Sequence, residues 1–137
     1  MKSSLQPGLS LTRTIVIDQN RTIEFMGEDA RVYATPSMVM DMERTCRDLV
    51  MQHADAGEDS VGTGVSIKHL AASLPGMTVE IVSRLTKVEG RNLTFEVTAK
   101  DEFDTVGAGT HTRFVVDVAK TVERLKAKAA KRDALKK

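Results

Sequence analysis

The sequence predicts an α+β domain in which one long, curved antiparallel sheet wraps a single central helix. Before the basic C-terminal stretch, only the segment from about Pro36 to about His53 repeats apolar residues at three- and four-residue intervals. After it come four strand-like segments of about 13 residues each, long for strands and joined by short turn signals. A chain of 137 residues, 41% apolar and 28% charged, is one domain with a real core. One helix and several long strands leave the helix no other surface on which to bury its apolar stripe.

The elements follow in order. "LSLTRTIVI" (9–17) reads as the first strand, and the short, ill-defined "RTIEFMGEDARVY" leads to the helix. Thr35 is suited to cap that helix through its hydroxyl and Pro36 to occupy its first turn. Met38, Val39, Met42, Cys46, Leu49 and Val50 form the apolar stripe. "ADAGEDS" ends the helix with Gly57 and acidic turn residues. "VGTGVSIKHLAAS" (61–73) runs to the turn signal Pro75-Gly76, and "MTVEIVSRLTKVE" (77–89) is closed by Gly90. "RNLTFEVTAKDEF" (91–103) alternates through Leu93, Phe95, Val97 and Ala99, and "TVGAGTHTRFVVDV" (105–118) is the last strand. Short connections make an antiparallel meander the simplest topology.

Composition narrows the function classes. Only four Phe and one Tyr are present, too few for base stacking to suggest itself. Residues 119–137 hold eight Lys or Arg against two acids, so their +6 leaves −5 on residues 1–118 within a total of +1. A basic helix of this kind is either solvated surface or a contact for phosphate. The lone Cys46 lies on the buried stripe, which rules out a disulfide within the chain and fits a reducing compartment. No run approaches membrane-spanning length and no leader pattern is seen, so the expectation is a cytoplasmic protein without a membrane partner.

Three places can carry chemistry. Glu43 falls at the edge of the apolar stripe, four residues after Val39 and three before Cys46. His69 shares strand parity with Val65 and Ile67, which turns it toward the helix. These two can form a reactive pair, form a structural pair, or never meet. Gly62-Thr63-Gly64 and Gly107-Ala108-Gly109 put glycines inside strands, a sign of a bulge, a bend, or close approach by a ligand or another backbone. Neither pair makes a nucleotide fingerprint. His53 reads as a packing or capping residue, and the face of His111 is left open. The three histidines lack zinc spacing. Cys46 sits among apolar positions and no nucleophile elbow is present, so serine and cysteine nucleophiles are poor candidates. Met40 and Met51 lie outside the stripe, as for a second contact or plain surface.

The blocks "YATPSMVMDMERTC", "GEDSVGTGVSIKHLAASLPGMTVEI", "VEGRNLTFEVTAKDE" and "VGAGTHTRFVV", with their spacing, resemble the hotdog-fold acyl-CoA thioesterases, in the branch that includes fluoroacetyl-CoA thioesterase. The resemblance covers most of residues 7–118. It implies a hotdog thioesterase domain over 1–118, with 119–137 as a basic C-terminal helix or tail of the same domain. It further implies Thr35, Glu43 and His69 as catalytic residues, with Glu43 as nucleophile or general base. Gly62 is implied beside the thioester, with Thr63 and Gly64 in the same substrate-binding strand. The substrate would be an acyl-CoA, with no metal and no cofactor beyond the CoA of the substrate. The assembly would be a homodimer or a dimer of dimers, with sites at an interface where sheets join edge to edge. Between the first strand and the helix the fluoroacetate branch carries a longer, Phe-containing lid, whereas this chain has only "EFMGEDARVY". A broader short- or medium-chain substrate is therefore expected. Arg84, Lys87, Arg91 and the basic tail are candidate contacts for the CoA phosphates. A non-catalytic acyl-CoA-binding hotdog module is the alternative reading. A hydratase would show a different Asp/His motif. A nucleic-acid-binding or scaffold role for the basic tail is opposed by the acidic remainder of the chain.

Overall fold

The computed structural model describes residues 1–136. Its elements are β1 (Ser10–Val16), α1 (Thr35–Met51), β2 (Glu58–His69), β3 (Thr78–Glu89), β4 (Asn92–Lys100), β5 (Thr105–Asp117) and α2 (Val118–Ala134). Two short 3-10 turns, Gln19–Arg21 and Glu28–Ala30, lie between β1 and α1. All neighbouring strands are antiparallel, in the order β1-β3-β4-β5-β2.

The expected meander holds for β3-β4-β5 alone. Gly90, at φ +60°, makes the tight β3–β4 turn in the left-handed region that glycine enters without a Cβ penalty. β2 does not join β3; it pairs with β5 along its whole length, from Glu58↔Asp117 to His69↔Gly107. The connection 70–77 is too long for a tight hairpin and instead carries the chain across the sheet end. Gly76 N–H donates to Ile17 O (2.8 Å) and Tyr33 N–H to Ser73 O (2.8 Å), tying that crossing to the start of the molecule. β3 can then lie beside β1. The same change moves β2 toward the N-terminus of the expected 61–73. Glu58–Ser60 join the β5 ladder, which ends at His69↔Gly107, and beyond it the Leu70 N–H still donates to Val106 O (2.7 Å) as the chain turns away.

α1 buries Met38, Met42, Cys46, Leu49 and Val50 against Ile81, Leu85, Leu93, Phe95, Val97 and Val115 of the sheet. Each fully buried Leu, Ile, Val or Phe stabilises this layer by roughly 1.5–3 kcal/mol. The buried side of α1 is broader than its apolar stripe, taking in Asp41 and Thr45, while Val39 is only half-buried. Ala34, not Thr35, is the N-cap residue, and no side chain caps the helix. Thr35 is already helical, and its hydroxyl is engaged elsewhere.

β5 passes directly into α2, whose first turn is capped by the Asp117 carboxylate accepting from Lys120 N–H (3.1 Å). Among the described residues α2 buries none. No helix of the structure is long and apolar enough to cross a membrane.

Candidate active site

Glu43 stands at the rim of the α1–sheet interface, its side chain 40% exposed. Its Oε2 lies 3.9 Å from Nη1 of Arg113, which is almost wholly buried on β5. Arg113 is held from several sides. Nε donates to Ser60 Oγ (2.7 Å), Nη2 donates to Ser60 O (2.8 Å) and Nη1 lies 3.1 Å from His111 Nε2. His111 Nδ1 is 2.7 Å from the Gly64 carbonyl, which can only accept, so the proton sits on Nδ1 and Nε2 is free to accept from Arg113. Burial holds the His111 pKa below its ordinary value, and the neighbouring Arg113 charge adds to this. Burial likewise lowers the pKa of Arg113, opposed by Cys46, Glu43 and Asp59.

The expected glycine pair on β2 marks this same place. The β2–β5 register shifts between Gly62 and Gly64, a bulge that bends the strand. A Cβ on Gly62 would lie 3.1 Å from Glu43 Oε2 and 3.2 Å from His111 Cε1, so the strand passes the carboxylate closely enough that a side chain there would push it aside by a few tenths of an ångström. Gly64 approaches Thr112 Oγ1, where a Cβ would lie at 3.0 Å. Thr63 points outward and donates to Thr112 Oγ1 (2.9 Å). The second pair has a different cause: a Cβ at Gly107 would strike Met38, and one at Gly109 the Ser66 backbone. There the strand glycines let neighbouring elements pack.

His69 lies at the other end of β2, facing the first turn of α1. Its Nδ1 is 2.8 Å from Thr35 Oγ1, and the Tyr33 ring meets it edge-on at 6.2 Å between centroids. Nε2 is buried with no hydrogen-bond partner among the described residues. Burial lowers the His69 pKa, partly opposed by the Ala71 backbone, so the ring is neutral at pH 7. Thr35 and His69 are therefore brought together. Glu43 is bonded to neither of them, and is held at Arg113 and Gly62 instead.

Two open hollows meet at Thr35. One, of about 570 Å³, is lined by Val39, Met40, Glu43, Arg44, Arg47 and Arg113, with Pro36 at its edge. The other, of about 480 Å³, is lined largely by apolar groups: Ile23, Phe25 and Val32 on one side, Leu70, Ala71 and Ala72 on the other, with His69 between. The first hollow explains the exposure of Met40. His111, Arg113, Tyr33 and Asp41 were not singled out for the site by sequence reasoning. A signal existed for two of them. His111 and Arg113 share parity with Val115, and His111 lies opposite Phe95, so both follow the buried face of β5. Arg91 is engaged with Glu58 and the Val115 carbonyl.

A carboxylate at a cleft, a neutral imidazole and a hydroxyl are the groups needed to add water to an activated carbonyl. The sequence profile of the fluoroacetyl-CoA-specific thioesterase family matches residues 17–119. The fluoroacetyl-CoA thioesterase of Streptantibioticus cattleyicolor is 35% identical over 127 residues, covering 88% of this chain and 91% of that protein. The solved fluoroacetyl-CoA thioesterase FlK superposes with a TM-score of 0.83 at 32% identity, over 90% of this chain and 97% of the other. A Thermus thermophilus protein described as a thioesterase superfamily member superposes at 0.87 with 30% identity, over 95% and 97% of the two chains.

Proposed function

The chain belongs to the fluoroacetyl-CoA-specific thioesterase family, has its hotdog fold and is an acyl-CoA thioesterase, and from that premise we propose that it hydrolyses short- or medium-chain acyl-CoAs to free acid and CoA through Thr35, Glu43 and His69. The observation that carries the residue assignment is the passage of Gly62 flush against Glu43, which leaves a half-exposed carboxylate facing a cleft instead of a neighbouring side chain.

Within one chain Glu43 and His69 occupy separate hollows, and the proposed site is completed by a second copy. β2 is an edge strand, exposed from Val61 to Ser66. Unpaired N–H and C=O groups along such an edge are a template for another strand. A twofold axis crossing β2 near Val65 and Ser66 would set His69 and Thr35 of one chain opposite Gly62 of its partner. The partner subunit's Glu43, beside that glycine, would then face His69 across the acyl thioester. The homodimer is thus part of the mechanism.

In that arrangement Glu43 takes the proton of a water as it attacks the thioester carbonyl. Free N–H groups at the first turn of α1, or the β2 backbone at Gly62, stabilise the oxyanion. The C–S bond then breaks and the acyl group leaves as free acid. The neutral His69, oriented by Thr35, takes up the proton that Glu43 accepted and passes it to the CoA thiolate, returning both side chains to their starting states. This sequence needs no metal or separate cofactor, since CoA enters with the substrate. If Glu43 instead attacks directly, CoA thiolate is expelled and a mixed anhydride forms, and in labelled water its hydrolysis at the Glu43 carbonyl would leave label in the Glu43 carboxylate. An unpaired, buried Cys46, its pKa pushed up to about 11 by burial, suits the reducing cytoplasm.

Mixing tests the whole proposal. Glu43→Gln and His69→Ala are each expected to fold and to release no thiol from any acyl-CoA. Mixed and allowed to exchange subunits, they should regain activity, because one of the two shared sites in each heterodimer is intact. No recovery would place both groups of a site in one chain. A parent protein that binds acyl-CoA without releasing thiol would be a binding module.

A further inference from the structure

Asp41 is an acid on the buried side of α1, 3% exposed, and the chemistry above makes no use of it. Two side chains reach its carboxylate with three hydrogen bonds. Tyr33 Oη donates to Oδ2 (2.5 Å), Arg21 Nε donates to Oδ2 (3.0 Å) and Arg21 Nη2 donates to Oδ1 (3.3 Å). Thr45 Oγ1 donates to its backbone carbonyl (2.8 Å), and Arg21 Nη1 also donates to Asp18 (2.8 Å). Apolar residues of similar volume would stabilise the core about as well as such a buried charge cluster. What the cluster adds is direction: several short bonds fix where Arg21 and Tyr33 stand relative to the helix.

Arg21 and Tyr33 are the two ends of one strap. Between them Thr22 and Tyr33 form a β-bridge, Ile23 N–H donates to Val32 O (3.0 Å) and Ala34 N–H donates to Arg21 O (2.8 Å). Residues 21–34 are thus a small hairpin whose base is clamped to α1. Its tip carries Phe25 and Met26, exposed by 80% and 58%. The hairpin also supplies Ile23, Phe25 and Val32, one whole side of the apolar hollow beside His69, opposite Leu70 and Ala71. A wall on a loose loop yields to any chain, whereas a wall clamped at its base sets a depth.

We propose that the apolar hollow beside His69 takes the acyl chain and that Asp41 is a specificity-determining residue, which by clamping Arg21 and Tyr33 to α1 fixes the wall of that hollow and so sets the length of acyl chain accepted. This rests on the hydrolase reading above and adds to it the residue that measures the substrate. Asp41 touches no substrate and acts through the hairpin.

The test compares the parent with Asp41→Leu and with the double variant Tyr33→Phe/Asp41→Leu. The double variant leaves no buried polar group orphaned, because Arg21 keeps Asp18 and the phenol is gone. Kd and kcat/KM are measured for the straight-chain series from acetyl-CoA to decanoyl-CoA, with thermal unfolding as the check on folding. The expected result is a shift of the profile toward longer chains. The long-to-short ratio should rise about tenfold, the discrimination carried by a methylene's worth of pocket space. An unchanged profile in a folded variant overturns the proposal. So does a uniform fall across the series, the signature of a purely structural role. Binding without turnover by the parent would remove the hydrolase reading, yet the Kd series would still decide the clamp. No binding by the parent would overturn both.

Discussion

Glu43 was legible as a misfit because a carboxylate on an apolar stripe has to be explained by something outside the helix. What explains it is a pair of groups on β5, His111 and Arg113, which the neighbouring glycines disguised as part of a loose strand. Thr35 was legible as a helix-start residue but misplaced by one position. Being helical itself, it frees its hydroxyl for His69 instead of the backbone. The two β2 glycines give a contrast that can be measured. Gly62→Ala puts a Cβ against Glu43 Oε2 and His111, whereas Gly64→Ala meets only the hydroxyl of the exposed Thr63–Thr112 pair. Gly62→Ala should lower kcat by about tenfold or more, since displacing a reacting group by a fraction of an ångström is costly. Gly64→Ala should leave kcat within about threefold of the parent, because a side-chain tip moves easily. Equal losses in the two variants, measured under saturating acyl-CoA, would mean that the strand as a whole matters and not its contact with Glu43.

At the scale of elements, the helix and the alternating strands were legible because each buries one periodic face, and periodicity is a local property. β4 is the clearest case: Leu93, Phe95, Val97 and Ala99 all lie in the core as alternation requires. Strand order is not local, and the meander was wrong at β2 for that reason. The pairing of β2 with β5 depends on Gly109, where a Cβ would collide with the Ser66 backbone instead of a side chain that could turn away. Gly109→Ala is therefore expected to destabilise the fold by roughly 1–3 kcal/mol, in the range of overpacked core substitutions. Urea unfolding with an unchanged m-value would measure it. A cost below about 0.5 kcal/mol, the level of an ordinary surface change, would show that the strands can separate there freely.

For the whole molecule, stability should depend on pH through its buried histidines. His69 and His111 are both held below the ordinary value of 6.5 by burial. As pH falls below 6.5 the unfolded chain takes up protons that the folded chain refuses, so stability is full above that value and is lost as pH falls through the folded pKa values. Asp59, Glu58 and Asp101, all held below their ordinary range, add losses of the same sign further into acid. Tm should therefore begin to fall near 6.5; a flat Tm down to the ordinary carboxylate value of 4.5 would contradict the neutral, buried state of both rings. The amino-acid sequence by itself determined the class of the fold, the helix, the strand faces and the oddity of Glu43. Each of these follows from the order of side chains along one element. Only the tertiary structure decided that β2 lies at an edge, that Arg113 stands behind Glu43, and that Asp41 clamps Arg21 to Tyr33. Those contacts join residues distant in the chain, and they form only where the curved sheet closes around α1.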